Sequence, residues 1–238
     1  MRPAPKVRQK VRSKRSPWTI AAAIAALVIA LSLAVILAID AGLFNGQQEN
    51  PEITRLQAAL DKNPQDLQSM AQLAQIYERA RQKDKAIELY QRILSLQPTS
   101  IGAKLGLAHT YLNAGELDKA SGFYDQVLQT DPKNAEAITH VGEIFLYRGK
   151  VDDALKKYDE ALVIDGAYAH GLWSKAFALE CAKADYPAAI TAWGEFKKII
   201  GDNEDGKRAD EFIASMREVA ANPKSGQLPL PCGQQTNF

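Results

Sequence analysis

Residues 105–132 read LGLAHTYLNAGELDKASGFYDQVLQTDP, and this stretch decides the fold, because its skeleton recurs on both sides at a spacing of about 34 residues. Within it, Leu107-Ala108 is followed by Tyr111, Ala120, Tyr124 and Pro132. Upstream, Leu73-Ala74 is followed by Tyr77, Ala86, Tyr90 and Pro98. Downstream, Val141-Gly142 is followed by Phe145, Ala154, Tyr158 and Ala161, with Gly166 where the earlier blocks carry proline. In each block the apolar residues fall at i, i+3, i+4 and i+7, the period of a helix. Small residues sit where paired helices must approach closely, and Tyr77, Tyr111 and Phe145 fill the gap beside them. Gly115 and Gly149 stand between the two helices, where a residue able to take positive φ ends the first. Gln97-Pro98 and Asp131-Pro132 disfavour helix at the residue before proline and so separate one pair from the next. Such a pair cannot bury its apolar face alone, so stacking supplies the core and leaves a concave surface for a partner.

The pattern extends outward from these blocks. Ala169 to Ala182 and Asp185 to Ile199 read as a fourth pair carrying one extra residue, with Pro187 in a first turn where a missing N–H costs nothing. Glu204 to Ala221 reads as a final helix with Phe212, Ile213, Met216 and Val219 on one face. Pro51 to Lys62 places Ile53, Leu56 and Leu60 on one face at the other end. These are the end caps that a stacked array needs. The repeats resemble the tetratricopeptide superfamily. That resemblance implies an all-α, right-handed α-solenoid of about four helix pairs, at residues 67–100, 101–134, 135–168 and 169–203, with a cap helix at 204–221. The repeat domain would run over 51–221, followed by a Pro/Gly-rich tail at 222–238.

The N-terminus has a different composition. Residues 1–17 hold seven Lys and Arg and no acid, and Thr19 to Ile39 holds no charge at all. As a helix that apolar run would reach about 31 Å, the thickness of a hydrocarbon core. Trp18 stands at its boundary, where an amphipathic ring favours the interface. The run exceeds the h-region of a cleaved signal peptide, and Ile39-Asp40-Ala41 is a poor cleavage site. The expectation is therefore a single transmembrane signal-anchor at 18–39, with a linker at 40–50. The positive tail would stay in the cytoplasm and the repeats would be exported. Beyond Ile39 the chain carries 28 acidic and 22 basic residues, a net charge of −6. A mildly acidic domain of this kind argues against nucleic acid as its ligand.

No catalytic constellation is present: there is no phosphate-binding glycine loop, no nucleophile motif and no paired-histidine ligand spacing. The expectation is a protein that is not an enzyme and holds no cofactor. Cys181 and Cys232 are the two cysteines. Cys181 reads first as a small buried hydrophobe, although the two could pair in an oxidising compartment. His109, His140 and His170 fall in three successive repeats but at different positions within them. They are therefore expected not to share one ridge, and no metal site is assigned to them.

In tetratricopeptide arrays the first helix of each pair lines the concave face, and that resemblance nominates a groove. Its candidates are Gln68, Ala71, Gln75 and Glu78 in the first repeat, and Leu105, His109 and Leu112 in the second. The third repeat offers Glu136, Thr139, Glu143 and Leu146, and the fourth offers His170, Trp173, Phe177 and Glu180. Apolar and aromatic groups rimmed by polar ones suit an amphipathic helix from another polypeptide. Trp173 and Phe177 have the alternative of packing against the C-terminal cap.

A narrower resemblance covers both ends of the domain. Asp185-Tyr186-Pro187-Ala188-Ala189-Ile190-Thr191-Ala192-Trp193, then Phe196, a polar turn and the helix from Arg208 to Val219, is similar to the end of the repeat domain in bacterial cytochrome c biogenesis proteins. Leu56 to Asp66 resembles the start of that domain, and the nitrite-reductase assembly members are nearest in layout. The resemblance implies an inner-membrane protein with periplasmic repeats. It would hold the C-terminal helix of apocytochrome c for haem lyase components. The alternative is a structural scaffold in another envelope assembly, such as secretion, pilus or outer-membrane biogenesis.

Overall fold

A computed structural model describes Ser32 and residues 50–222 of the 238-residue chain. The basic tail, the apolar run expected to span a membrane (Ser32 apart) and the tail beyond Asn222 lie outside the described residues. Among the described residues no helix is long and apolar enough to cross a membrane. The chain divides into two units, residues 1–54 and 55–238. Of the first, Ser32 and Asn50–Thr54 are described, the latter opening a helix in which Thr54 N–H bonds to the Asn50 carbonyl at 3.3 Å.

The second unit is a stack of helices, and no strand occurs among the described residues. In chain order the helices are α1 (Pro51–Lys62), α2 (Leu67–Arg79), α3 (Lys83–Leu96), α4 (Ile101–Asn113) and α5 (Leu117–Thr130). They continue as α6 (Ala135–Tyr147), α7 (Val151–Ile164), α8 (Ala169–Phe177), α9 (Tyr186–Ile200) and α10 (Glu204–Ala221). Each first helix packs on its own second helix, in the pairs α2–α3, α4–α5, α6–α7 and α8–α9, and α10 packs on α9. This is an all-α helical solenoid.

Local chemistry explains where each helix begins. Asp66, Ser100 and Asn134 each stand two residues after a block's proline and cap α2, α4 and α6 by accepting from the N–H of Gln68, Ala103 and Ala137. The fourth block has Gly166 in place of that proline, and Tyr168 gives α8 no side-chain cap. The turn inside each pair ends in one residue at positive φ: Arg81 at 55°, Gly115 at 74°, Gly149 at 73° and Ala184 at 55°. In the first three, the following N–H reaches back five residues, as Gln82 to Tyr77, Glu116 to Tyr111 and Lys150 to Phe145 at 2.8–2.9 Å.

The fourth turn is one residue longer, and the chain absorbs the excess as a π turn at Ala178–Ala182 directly after α8. Lys183 N–H bonds to the Ala178 carbonyl at 3.0 Å, and Asp185 N–H to the Leu179 carbonyl at 2.8 Å. Cys181, within this turn, is half-buried and disulfide-bonded. That differs from the buried free hydrophobe the sequence favours; Cys232 lies outside the described residues.

The core follows the repeated skeleton. Ala74, Ala86, Ala108, Ala120, Ala154 and Tyr158 are fully buried. An alanine Cβ at Gly142 would stand 2.6 Å from Tyr158 Cε1, so the absent side chain is what lets the tyrosine cross between paired helices. At the C-terminal end α10 seats Ala209, Phe212 and Met216 against Trp193 and Phe196. At the other end Leu56 is buried and Gln57 Nε2 donates to Tyr77 Oη at 3.2 Å. Ion pairs join successive repeats: Lys83–Glu116, Arg148–Asp118 and Lys183–Asp152 at 2.5–2.9 Å. Their partners are largely exposed, so each contributes about 0–1 kcal/mol and apolar packing dominates.

Candidate functional site

The first helices converge on one open cleft of about 610 Å³. Glu78 comes from α2, and His109, Leu112 and Asn113 from α4. His140, Glu143, Leu146 and Tyr147 come from α6, and His170, Trp173, Ser174 and Phe177 from α8. Tyr158 reaches in from α7. Leu112, Leu146, Trp173 and Phe177 supply the apolar part of its lining, and a ladder of imidazoles and carboxylates supplies the polar part.

Of the residues nominated from sequence, Glu78, His109, Leu112, Glu143, Leu146, His170, Trp173 and Phe177 meet in this cleft. Seven do not line it. Gln68 and Gln75 are exposed and outside it, Ala71 and Glu136 are half-buried outside it, and Leu105 packs on the α4–α6 core. Thr139 is fully buried because α8 closes over it at Gly171, where a Cβ would lie 3.4 Å from Thr139 Oγ1. Glu180 is 2% exposed and turned to Trp193, whose Nε1 donates to Glu180 Oε2 at 2.8 Å. Glu180 lies inside the π turn, whose wider winding carries it off the face its repeat position assigns.

The histidines correct a sequence expectation. His109 and His140 ring centroids are 4.4 Å apart, and those of His140 and His170 are 5.0 Å apart. His109 shares its repeat position with Glu143 and Phe177, at 34-residue intervals, whereas His140 stands three and His170 seven residues earlier in its own repeat. Offsets of three and seven keep one helix face. The mismatch in register therefore produces a descending ladder rather than a scatter. The side chains themselves bridge the distance between neighbouring helix axes.

Glu143 joins the ladder's rungs. Its Oε2 receives His140 Nδ1 at 2.8 Å, and its Oε1 receives His170 Nε2 at 2.7 Å and Ser174 Oγ at 3.1 Å. Burial pushes the Glu143 carboxyl up, but the hydrogen bonds from the two imidazoles outweigh it and hold the group well below the usual carboxylate range. His170 shows the reciprocal effect: burial disfavours its charge, yet Glu143 raises it. His109 is different. Burial, reinforced by His140 and His170, pushes it down to about 3, so its ring is neutral at ordinary pH. Its Nε2 lies 3.3 Å from Glu136 Oε1 but outside hydrogen-bonding geometry, and it is buried without a hydrogen-bond partner. The His140 ring stacks on Tyr124 with centroids 5.4 Å apart and planes 12° apart.

The aromatic wall is anchored behind the cleft. Trp173 meets Trp193 edge to face at 4.7 Å and Phe196 at 5.5 Å. Trp173 thus packs against the C-terminal cluster while its remaining surface lines the cleft. Asn113, His140, Tyr147, Tyr158 and Ser174 belong to the cleft as well, although sequence reasoning does not nominate them for the groove. His140 and Ser174 share a repeat position 34 residues apart, and that spacing is a signal available in the sequence.

Comparison with known proteins agrees with this architecture. Tetratricopeptide-repeat family profiles match residues 53–101 and 80–144. No curated protein matches the chain. Among solved structures, the thermophilic TPR protein TTC0263 of Thermus thermophilus is similar at 18% identity over 81% of this chain and 97% of its own, with a TM-score of 0.61. A tetratricopeptide repeat protein from Parabacteroides merdae ATCC 43184 is similar at 20% identity, over 71% of this chain and 67% of its own, with a TM-score of 0.55. The protein MamA is similar at 19% identity, over 66% of this chain and 89% of its own, with a TM-score of 0.50. At such identities the likeness is one of fold. Residues 53–144 match tetratricopeptide-repeat profiles, and the array built around them has the fold of solved tetratricopeptide-repeat proteins.

Proposed function

We propose that this protein is a membrane-anchored holder of a helical polypeptide, exported into the periplasm, whose guest is the C-terminal helix of an apocytochrome c. The observation that carries the reading is the open cleft of about 610 Å³ with both apolar and hydrogen-bonding groups in its lining. Leu112, Leu146, Trp173 and Phe177 offer an apolar stripe, and the Glu78–Glu143 side offers hydrogen-bonding groups. An amphipathic helix presents the complementary pair of faces, with anchors at i, i+3, i+4 and i+7. The uncharged run from Thr19 to Ile39 supports the anchor, and the segment from Asp185 to Val219 supports the cytochrome assignment through its resemblance. Haem lyase components would be the partners that receive the guest.

Fluorescently labelled C-terminal helices of apocytochromes, titrated against the full-length protein in mild detergent, test this. Saturable binding above scrambled helices is expected, weakened by at least about tenfold in Leu146→Asp. Equal binding of true and scrambled helices removes the cytochrome assignment. Binding that ignores Leu146→Asp removes the cleft as the site.

A further inference from the structure

We propose that His140, Glu143 and His170 form a binding site for a divalent cation of the zinc class. Their ligand atoms all lie within 4.8 Å of one another. Two imidazoles and a carboxylate are a donor set that suits zinc and its late first-row neighbours. Bonds of about 2.0–2.1 Å in a tetrahedron put ligand atoms about 3.3 Å apart. His140 Nδ1 lies 2.8 Å from Glu143 Oε2 and His170 Nε2 lies 2.7 Å from Glu143 Oε1, so the carboxylate already spans the two imidazoles and a small swing brings one of its oxygens to a cation between them. The His140–His170 pair, within 4.8 Å, needs close by no more than about 1.5 Å. Small rotations of the half-buried His140 and Glu143 and of the exposed His170 cover both changes.

The surroundings orient these ligands. Ser174 Oγ donates to Glu143 Oε1 at 3.1 Å, and Tyr124 fixes the plane of His140 by stacking. Partners of this kind hold first-sphere ligands in place. All three ligands line the cleft, so a cation can enter and its fourth position is reachable from solvent. A neighbouring set, His109, Glu136 and His140, is also compact, but Glu136 is not part of the cleft wall. The cation therefore belongs with His170 rather than with His109.

The test needs no peptide, so its outcome is independent of the proposed guest. The full-length protein in mild detergent, stripped with chelator, is titrated with zinc sulfate by calorimetry and with cobalt chloride by visible absorption. One zinc per chain is expected, with a dissociation constant of about 1 µM or tighter, and cobalt should develop the visible bands of a low-symmetry N/O site. His170→Ala and Glu143→Gln should each weaken zinc by at least about tenfold, while His109→Ala leaves it unchanged. His170 is partly exposed, so its substitution should spare the fold, as far-UV circular dichroism will verify. Absence of stoichiometric binding by the wild type overturns the proposal. So does unchanged affinity in folded His170→Ala, or loss of binding in His109→Ala with His170→Ala unaffected.

Discussion

Trp193, fully buried, donates its indole N–H to Glu180 Oε2 at 2.8 Å, and the other carboxylate oxygen of Glu180 is buried with no hydrogen-bond partner. The bond ties the π turn to α9 and so fixes how the fourth repeat sits against the C-terminal aromatic cluster. A carboxyl with one satisfied oxygen in an apolar surround resists ionisation. Burial raises Glu180 from an ordinary value of 4.5 to about 7, with the Trp193 bond opposing it in part.

That shift gives stability a pH dependence of definite sign. The folded state holds the Glu180 proton up to about pH 7, whereas the unfolded chain releases it near 4.5. The associated stability is complete below pH 4.5 and is lost as pH rises through 7, an effect on the order of 3 kcal/mol at most. Glu180→Gln keeps an acceptor for the indole and cannot ionise, so its unfolding free energy should lack this component. Urea unfolding of both proteins at pH 5 and pH 7.5 measures the difference of slopes. Identical slopes would mean that Glu180 ionises normally in the fold.

Trp173 belongs to two structures at once, because its edge-to-face contacts with Trp193 and Phe196 leave it half-buried on the cleft wall. Trp173→Ala should therefore lower stability by about 3 kcal/mol as well as weaken a bound peptide. Phe177→Ala separates the two effects if its loss falls mainly on binding. Thermal melting alongside peptide titration distinguishes them, and an unchanged melting temperature in Trp173→Ala would show that the aromatic contacts contribute little.

Two glycines in the array should respond oppositely to alanine. At Gly142 the new Cβ would sit 2.6 Å from Cε1 of the fully buried Tyr158 and 3.2 Å from Lys157 Cβ. Overpacking there should cost about 1–3 kcal/mol. At Gly122, exposed on α5, nothing lies within 4 Å of an added Cβ. Alanine should instead stabilise that helix by up to about 1 kcal/mol. Denaturant midpoints of the two variants should move in opposite directions; a shared direction would contradict the close packing at Tyr158.

The helix pairs are legible in the sequence because their causes are local: alanine at the crossings, tyrosine beside them, proline and a cap between them. Each repeats at 34 residues, so chance agreement is improbable. The histidine ladder is not legible by the same rule. It runs across the period rather than along it, and alignment by repeat position hides residues that share a face through offsets of three and seven. Glu180 escapes its expected place for a related reason. The sequence announces an extra residue in the fourth repeat but not whether a loop or the helix takes it up, and a π turn sends Glu180 inward. Thr139 falls in the groove by repeat position, while its burial depends on how closely α8 approaches at Gly171, which is a property of packing.

The turn inside the first pair carries a final test. Arg81 holds φ of 55°, in the place where the next two repeats have Gly115 and Gly149 at 74° and 73°. A side chain with a Cβ is strained in this region by about 1–2 kcal/mol, and glycine is not. Against that gain stands the greater freedom glycine gives the unfolded chain, about 0.5–1 kcal/mol. Arg81 is exposed, so little packing is lost by removing it. The balance favours glycine, and Arg81→Gly should stabilise the protein by about 0.5–1 kcal/mol, while Gly115→Ala should destabilise by a similar or larger amount. Chemical denaturation of both variants measures the pair. A destabilised Arg81→Gly would mean that the arginine side chain contributes more to the turn than its backbone strain takes away.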